Sequence, residues 1–412
     1  MADYPATIYT PREKENKSGV VYDPTKKTVL FAEDLQALDN EVVAIETDLI
    51  NNSKLFGGVP FPGLFTPKRA NKSFVKDSNG YYYTYSLVPL NGTSSAIALW
   101  KSLDLKTWLP VGSPFTLRTT LGGSFIGSNS PIRIFIAPNG NIGLLCYGYS
   151  NTNTTAYNLL FAVYDGATWT AEWVSAETTS GRNPTEWFDL VADSSNNWHV
   201  VWAQKHASST TYEQVLYCKR TSGSWGSIVN IGASPTVKND FCQIIIWKND
   251  RPSIVYKGNS GWTYLAEYNG STWDYYNDGV SKDIYQISVD SSGNIWCATS
   301  SHLLKISSAR AFSSVTGFAT NIIYGIQCAS DGFIYVNFTN FGTTVSPYDY
   351  HCLVCKYDPV GGTKVFSKPF VAGLISDYGA TTYGMFGIPL AVPQVLLLNN
   401  FTRSLLLQDI EF

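Results

Sequence analysis

From about residue 80 onward the chain repeats one pattern, a short polar turn followed by an apolar run that alternates with polar positions. The clearest copy runs from Asp189 to Trp202 and reads as a strand, a turn at Ser194 to Asn197, and a second strand. Comparable units are Asn79-Gly80 before Tyr81 to Tyr85, Asn139-Gly140 before Ile142 to Tyr147, and Asn249-Asp250 before Ile254 to Tyr256. They continue with Gly293-Asn294 before Ile295 to Cys297 and Asp331-Gly332 before Phe333 to Phe338. A weaker copy has Pro393-Gln394 before Val395 to Leu398. The intervals between copies are roughly 40 to 60 residues.

A second signal keeps the same beat. After each of several hairpins comes a further strand and a small-residue turn ending in tryptophan, at Trp108, Trp169, Trp225 and Trp273. Each period therefore holds about four strands, the signature of β-propeller blades. The competing all-β reading is a sandwich, whose turns recur every 8 to 12 residues without a longer superperiod. The fold expected is an all-β propeller spanning 54–412. Seven blades are preferred, with six and a capping hairpin as the alternative. The last repeat, from Gly387, has room for only three strands, so a strand from residues 54–70 is expected to complete it and remove both exposed sheet edges.

Residues 31–53 break the period. Phe31, Leu35, Leu38, Val42, Ile45 and Leu49 recur at spacings of 3 and 4, an a/d seam. Acidic residues cover the opposite face. A short parallel coiled coil is expected here, with Leu35, Leu38, Val42, Ile45 and Leu49 in the seam; a single helix packed on the propeller is the other reading. Residues 1–30 carry Pro5, Pro11 and mixed charge with few core-forming side chains, so no independent structure is expected of them.

Composition narrows the function classes. Hydrophobic residues make up 44% and charged residues only 15%, which argues against disorder, and 26 Tyr and 12 Trp against 2 Met favour strands. A net charge of -3 without a basic stripe argues against nucleic-acid binding. No stretch has the length and apolarity of a membrane span or signal peptide, so no membrane insertion is expected, and synthesis in a cytoplasm is. Of seven cysteines, Cys146, Cys218, Cys242, Cys297 and Cys328 sit in apolar runs, where buried free thiols are expected. His351, Cys352 and Cys355 do not make a metal site, because the two cysteines alternate across a strand and no second pair completes it. No cofactor is expected.

The run from Tyr9 to Leu38 with Glu41 to Glu46 resembles the N-termini of bacteriophage tail-fibre, spike and other virion receptor-binding proteins. The resemblance covers about 50 of 412 residues. It implies a homotrimer, an attachment peptide at 1–30 that meets other virion structural proteins, a coiled coil at 31–53, a β-rich head, and a place in the virion. Binding is then expected on the face carrying the second-to-third-strand loops, which are polar with interspersed aromatics, a chemistry suited to a host surface glycan or protein. Tyr149, Tyr212 and Tyr348 are the residues expected to touch the receptor. Catalytic signals are weak. Ser102 to Trp108 resembles a degenerate Asp-box of sialidases, which is a structural turn. A propeller glycoside hydrolase is the alternative, with Glu186 and Asp189 as its acids.

Overall fold

The computed structural model describes residues 74–366, apart from short stretches between strands, and strands at 58–59, 388–389, 394–399 and 404–409. The chain divides into two compact units, Met1–Ser53 and Lys54–Phe412. The whole of the first lies outside the described residues. With it lie the expected attachment segment and the seam of Leu35, Leu38, Val42, Ile45 and Leu49.

The second unit is a seven-bladed β-propeller. Its strands form seven separate antiparallel sheets of four positions, meandering in chain order in blades 1 to 6. Blade 1 holds Val75–Lys76, Tyr82–Asn91, Ser94–Ser102 and Leu109–Thr116. Blade 2 holds Arg133–Ile136, Ile142–Ser150, Asn153–Tyr164 and Trp169–Trp173, with Ser124–Phe125 added beside Ile142–Ser150. Blade 3 starts with Pro184–Ala192, Trp198–Lys205 and Glu213–Thr221, and its outer position is split into Ser224–Trp225 and Val229–Gly232. Blade 4 runs from Asp240–Ile246 to Trp273–Ser281, blade 5 from Ile284–Val289 to Phe312–Val315, and blade 6 from Ile322–Cys328 to Lys364–Phe366. Blade 7 consists of Ile388–Pro389, Gln394–Asn399 and Ser404–Asp409, and the N-terminal strand Gly58–Val59 supplies its fourth position, Gly58 opposite Leu406. The ring thus closes through a strand from the start of the unit, as the three-strand last repeat requires.

First strands of successive blades touch one another, so both faces of each sheet are covered. This explains the near-continuous apolar runs, which differ from the alternation of a one-sided sheet. Every residue from Trp198 to Gln204 is buried, whereas the outer strand Leu109–Thr116 is mostly exposed. The core lies between neighbouring blades. Ile97, Ile132, Ile134 and Leu144 pack together across blades 1 and 2, and Leu145, Phe161, Leu190 and Trp202 across blades 2 and 3.

Five of the six described first hairpins share one turn. At Asp77, Ala137, Asp193, Asp290 and Ala329 the backbone N–H donates to the carbonyl four residues on, and the N–H three residues on donates back. That geometry forces a positive φ at the fourth residue. Glycine takes it at Gly80, Gly140, Gly293 and Gly332, and Asn196 takes it in blade 3. The left-handed residue of blade 3 is therefore Asn196, inside the turn expected at Ser194 to Asn197. Blade 4 departs, with Asn249 and Asp250 both left-handed.

Two of the polar loops expected at the second-to-third-strand end are strands instead. Pairing runs to Asn91 opposite Ser94 and to Ser150 opposite Asn153. Ser, Thr and Tyr suit an extended, paired backbone as well as they suit a loop, and here the ladder wins.

Candidate functional site

Asp193, His199 and Lys219 form a polar cluster that repeats through the head. Oδ1 of Asp193 accepts from the amides of Ser195 and Asn197, and Oδ2 accepts from His199, six residues on, at 3.1 Å. Asp77 and Asp290 do the same. Their Oδ1 atoms hold the amides two and four residues on, and their Oδ2 atoms accept from the Tyr83 hydroxyl and the Trp296 indole. In blade 6 the carboxylate comes from Asp331, which holds the Phe333 amide and the Tyr335 hydroxyl. The side chain paired across to the third strand is a lysine in all four cases: Lys101 opposite Tyr83, Lys219 opposite His199, Lys305 opposite Trp296, and Lys356 opposite Tyr335. One aspartate thus fixes the turn and orients an aromatic donor.

In blade 3 this cluster lines a cleft. A cavity of about 540 Å³ opens between blades 3 and 4 at the end that carries the first-hairpin turns. Its lining includes Asp193, His199, Tyr217, Lys219, Trp225, Asp250, Tyr268 and Trp273. The cleft follows from a local departure in the strands. The outer position of blade 3 is interrupted after Trp225, where the Gly226 amide turns back to the Lys219 carbonyl at 2.8 Å, and Gly226, Ser227 and Val229 line the opening.

The polar floor is a hydrogen-bonded chain. His199 is buried, with Nδ1 2.7 Å from the Tyr217 hydroxyl and Nε2 against Asp193. A carboxylate only accepts, so Nε2 carries the proton and the Tyr217 O–H donates to Nδ1. Burial pushes the Asp193 carboxyl up, yet the donors from Asn197 and His199 outweigh it and hold the group below the ordinary carboxylate value. Burial lowers the His199 pKa, and nearby Asp193 offsets this only in part, so the ring is neutral near pH 7. Burial likewise pushes the Tyr217 phenol well up, which keeps it a proton donor.

The walls are aromatic. Trp273 lies 5.0 Å from Tyr217 and 5.5 Å from Tyr268, ring centre to ring centre, and Trp225 lies 5.3 Å from Phe161 of blade 2. Both tryptophans are half-buried. They wedge neighbouring blades together and line the cleft. Lys219, whose side chain is 42% exposed, reaches Asp193 at 3.5 Å and keeps donor capacity toward the opening. Asp250 is committed across the boundary, accepting from the amide and hydroxyl of Ser194. Arg251 donates to the Asn269 carbonyl.

The residues expected from sequence fall elsewhere. Tyr149 is the penultimate residue of Ile142–Ser150, its backbone opposite Ser124. Tyr212 and Tyr348 lie outside the described residues. Glu186 lies in Pro184–Ala192. Asp189 is fully buried, one oxygen accepting from the Leu190 amide at 2.8 Å and the other from the Ile244 amide of blade 4 at 2.9 Å. That places Asp189 as a tie between blades 3 and 4. In the sequence Trp225 and Trp273 stand out only as markers of the period, and His199 and Lys219 do not stand out at all. The available signal was Asp-Ser at a turn with Tyr, His or Trp six residues on, at Asp77, Asp193 and Asp290. Among the described residues there is no group of three or more His, Cys, Asp or Glu side chains able to hold a metal ion.

The fold and site together define a β-propeller with an aromatic cleft between two blades. No family model and no curated protein sequence matches the chain. Similar solved structures include an Aleuria aurantia lectin mutant in complex with Fucalpha1-6GlcNAc, at 14% identity over 77% of this chain and 100% of that chain, TM-score 0.43. A polysaccharide lyase, an ulvan lyase, is 12% identical over 76% of this chain and 84% of its own, TM-score 0.48. The Penicillium chrysogenum alpha-L-arabinanase complexed with arabinobiose is 12% identical over 68% and 92%, TM-score 0.43. At such values the likeness is one of chain path, and the propeller follows from the strand pairing above.

Proposed function

We propose that this chain is a non-enzymatic virion attachment protein, trimeric through residues 31–53, whose propeller head binds a glycan on the host surface. The observation that carries the glycan reading is the cleft between blades 3 and 4. Sugar binding asks for a ring face to stack on and for hydrogen-bond partners at its rim. Trp225, Trp273 and Tyr268 offer the first, and Lys219 with the Thr221, Ser224, Ser227 and Ser271 hydroxyls the second. The floor of Asp193, His199 and Tyr217 is already paired within itself and serves to hold Lys219 and the ring walls in place. Hydrolysis would need two carboxyls flanking the bond, whereas both oxygens of Asp189 accept from backbone amides and Asp193 is spent on its turn and His199. The viral setting and the trimer rest on the heptad seam and the N-terminal resemblance.

The test is binding of the full-length chain to host envelopes and to arrayed glycans. Lys219→Ala and Trp225→Ala are expected to weaken retention about tenfold or more, the loss typical of a central contact residue, without release of free sugar. Unchanged binding by both variants, with loss on joint replacement of Tyr149, Tyr212 and Tyr348 by alanine, would move the receptor site to the opposite face. Sugar release that disappears on Glu186→Gln would replace the binding reading with the enzymatic one. Leu38→Asp with Ile45→Asp is expected to give monomers by sedimentation while the β-sheet spectrum is retained.

A further inference from the structure

The cluster that floors the first cleft has its counterpart in blade 1, and a cavity lies there too. Asp77, Tyr83 and Lys101 occupy the positions of Asp193, His199 and Lys219 in turn, second strand and third strand. Next to them, between blades 1 and 2 and at the same end of the head, is a cleft of about 280 Å³. Lys76, Asp77, Ser78, Asn79 and Tyr83 line it from blade 1, Phe135, Pro138 and Gly140 from blade 2, and Ala192 of blade 3 borders it. In both clefts one wall is thus the carboxylate turn of one blade and its paired aromatic donor, and the other is the first-hairpin turn of the blade that follows.

Direct bonds cross these two boundaries beside the clefts, from Tyr85 to the Ile132 carbonyl and from Ser194 to Asp250, and they cross three others as well. Between blades 2 and 3, Trp198 packs so closely on Gly143 that a Cβ there would lie 2.5 Å from the indole, and the Asn139 amide donates to Asn196. Between blades 4 and 5, Trp247 donates to the Gly293 carbonyl and Arg310 pairs with Glu267. Between blades 5 and 6, Gln286 and Ser288 accept from the amides of Ile326 and Cys328.

We propose that the boundary between blades 1 and 2 is a second saccharide site, sized for a single pyranose ring, so that each head carries two saccharide sites. The proposal rests on the glycan reading of the first cleft. Small-ligand sites usually occupy about 300 to 1,000 Å³, so a volume near the lower limit admits one ring, while the larger cleft has room for more. Tyr83 and Phe135, both half-buried, give the ring something to stack on. The exposed Lys76, Ser78 and Asn79 supply donors and acceptors for its hydroxyls. Tyr83 is fixed as a neutral donor to Asp77, because burial and then the neighbouring carboxylate push its phenol up to about 12. Two sites on one head raise overall avidity for a glycan-coated surface without any new contact.

The experiment is equilibrium titration of the full-length chain with methyl pyranosides of neutral hexoses, deoxyhexoses and hexuronic acids, reading the number of sites per chain. Ser78 and Ser271 are exposed turn residues, one on each cleft, so Ser78→Trp and Ser271→Trp block by bulk and leave the core alone. The expected result is two sites for the parent, one for either variant and none for the double variant. A single site in the parent, lost in Ser271→Trp and intact in Ser78→Trp, would overturn the proposal and leave the first cleft standing. Two sites of which neither responds to Ser78→Trp would also overturn it. Absence of binding by every glycoside at millimolar concentration would remove the glycan reading and this inference with it.

Discussion

His199 shows how far a single side chain here is committed to a neighbour. Its lowered pKa fixes a sign for pH dependence. Above about pH 6.5, the usual histidine value, folded and unfolded chains both hold the ring neutral, and the contribution to stability is complete. As pH falls through 6.5 the unfolded chain takes up a proton that the folded one refuses, so stability declines until the lower folded value is reached. Urea unfolding of the parent between pH 7.5 and 5 is therefore expected to show a slope that His199→Gln reduces. Asp189 makes the same point through its hydrogen bonds. Asp189→Asn places an amide donor against one of two backbone N–H groups, in a fully buried position. A loss of about 2 to 3 kcal/mol is expected, the range for a broken hydrogen bond to a buried charged group, read from denaturant midpoints at constant slope.

At the scale of the element, the repeating unit is the first hairpin with its left-handed fourth residue. Gly293 sits there with φ of 74° and open space around its Cα. Gly293→Ala is expected to cost about 1 to 2 kcal/mol through backbone strain alone, and Gly293→Asn less, since Asn196 already fills the equivalent place; thermal unfolding of the two variants distinguishes strain from crowding. These hairpins were the part of the fold most legible in the sequence, because turn chemistry is local: a polar pair with glycine or asparagine, then an apolar run. The candidate site was less legible for the opposite reason. Asp193 and Trp273 are 80 residues apart in the sequence, and only the stacking of blade 4 on blade 3 brings them to one cleft. The split outer strand of blade 3 has no distinct signature either, since Ser224 to Gly232 reads as an ordinary turn and strand. Tryptophans that mark the period also build the cleft walls, so their regular spacing concealed their second use.

At the scale of the molecule, closure depends on two residues of pairing. Gly58–Val59 is the outermost strand of blade 7 and, among the described residues, pairs the start of the unit with its end. Deleting residues 54–60 in addition to 1–53 is expected to lower the melting temperature well below that of a chain lacking 1–53 alone, as measured by circular dichroism, because blade 7 is left with an unpaired edge. Described thiols are spread around the ring: Cys146 in blade 2, Cys218 in blade 3, Cys242 in blade 4, Cys297 in blade 5, and Cys328 with Cys355 in blade 6. Burial pushes each of these thiols up, to about 11 for Cys218 and about 12 for Cys328 and Cys355, which slows their reaction while the blades are seated, least at the half-buried Cys328. The head therefore carries its own set of chemical clocks. Pulse alkylation followed by peptide mass mapping would time the parting of each blade from its neighbours, and would show whether a propeller fastened by so short a strand unzips from the seam inward or comes apart everywhere at once.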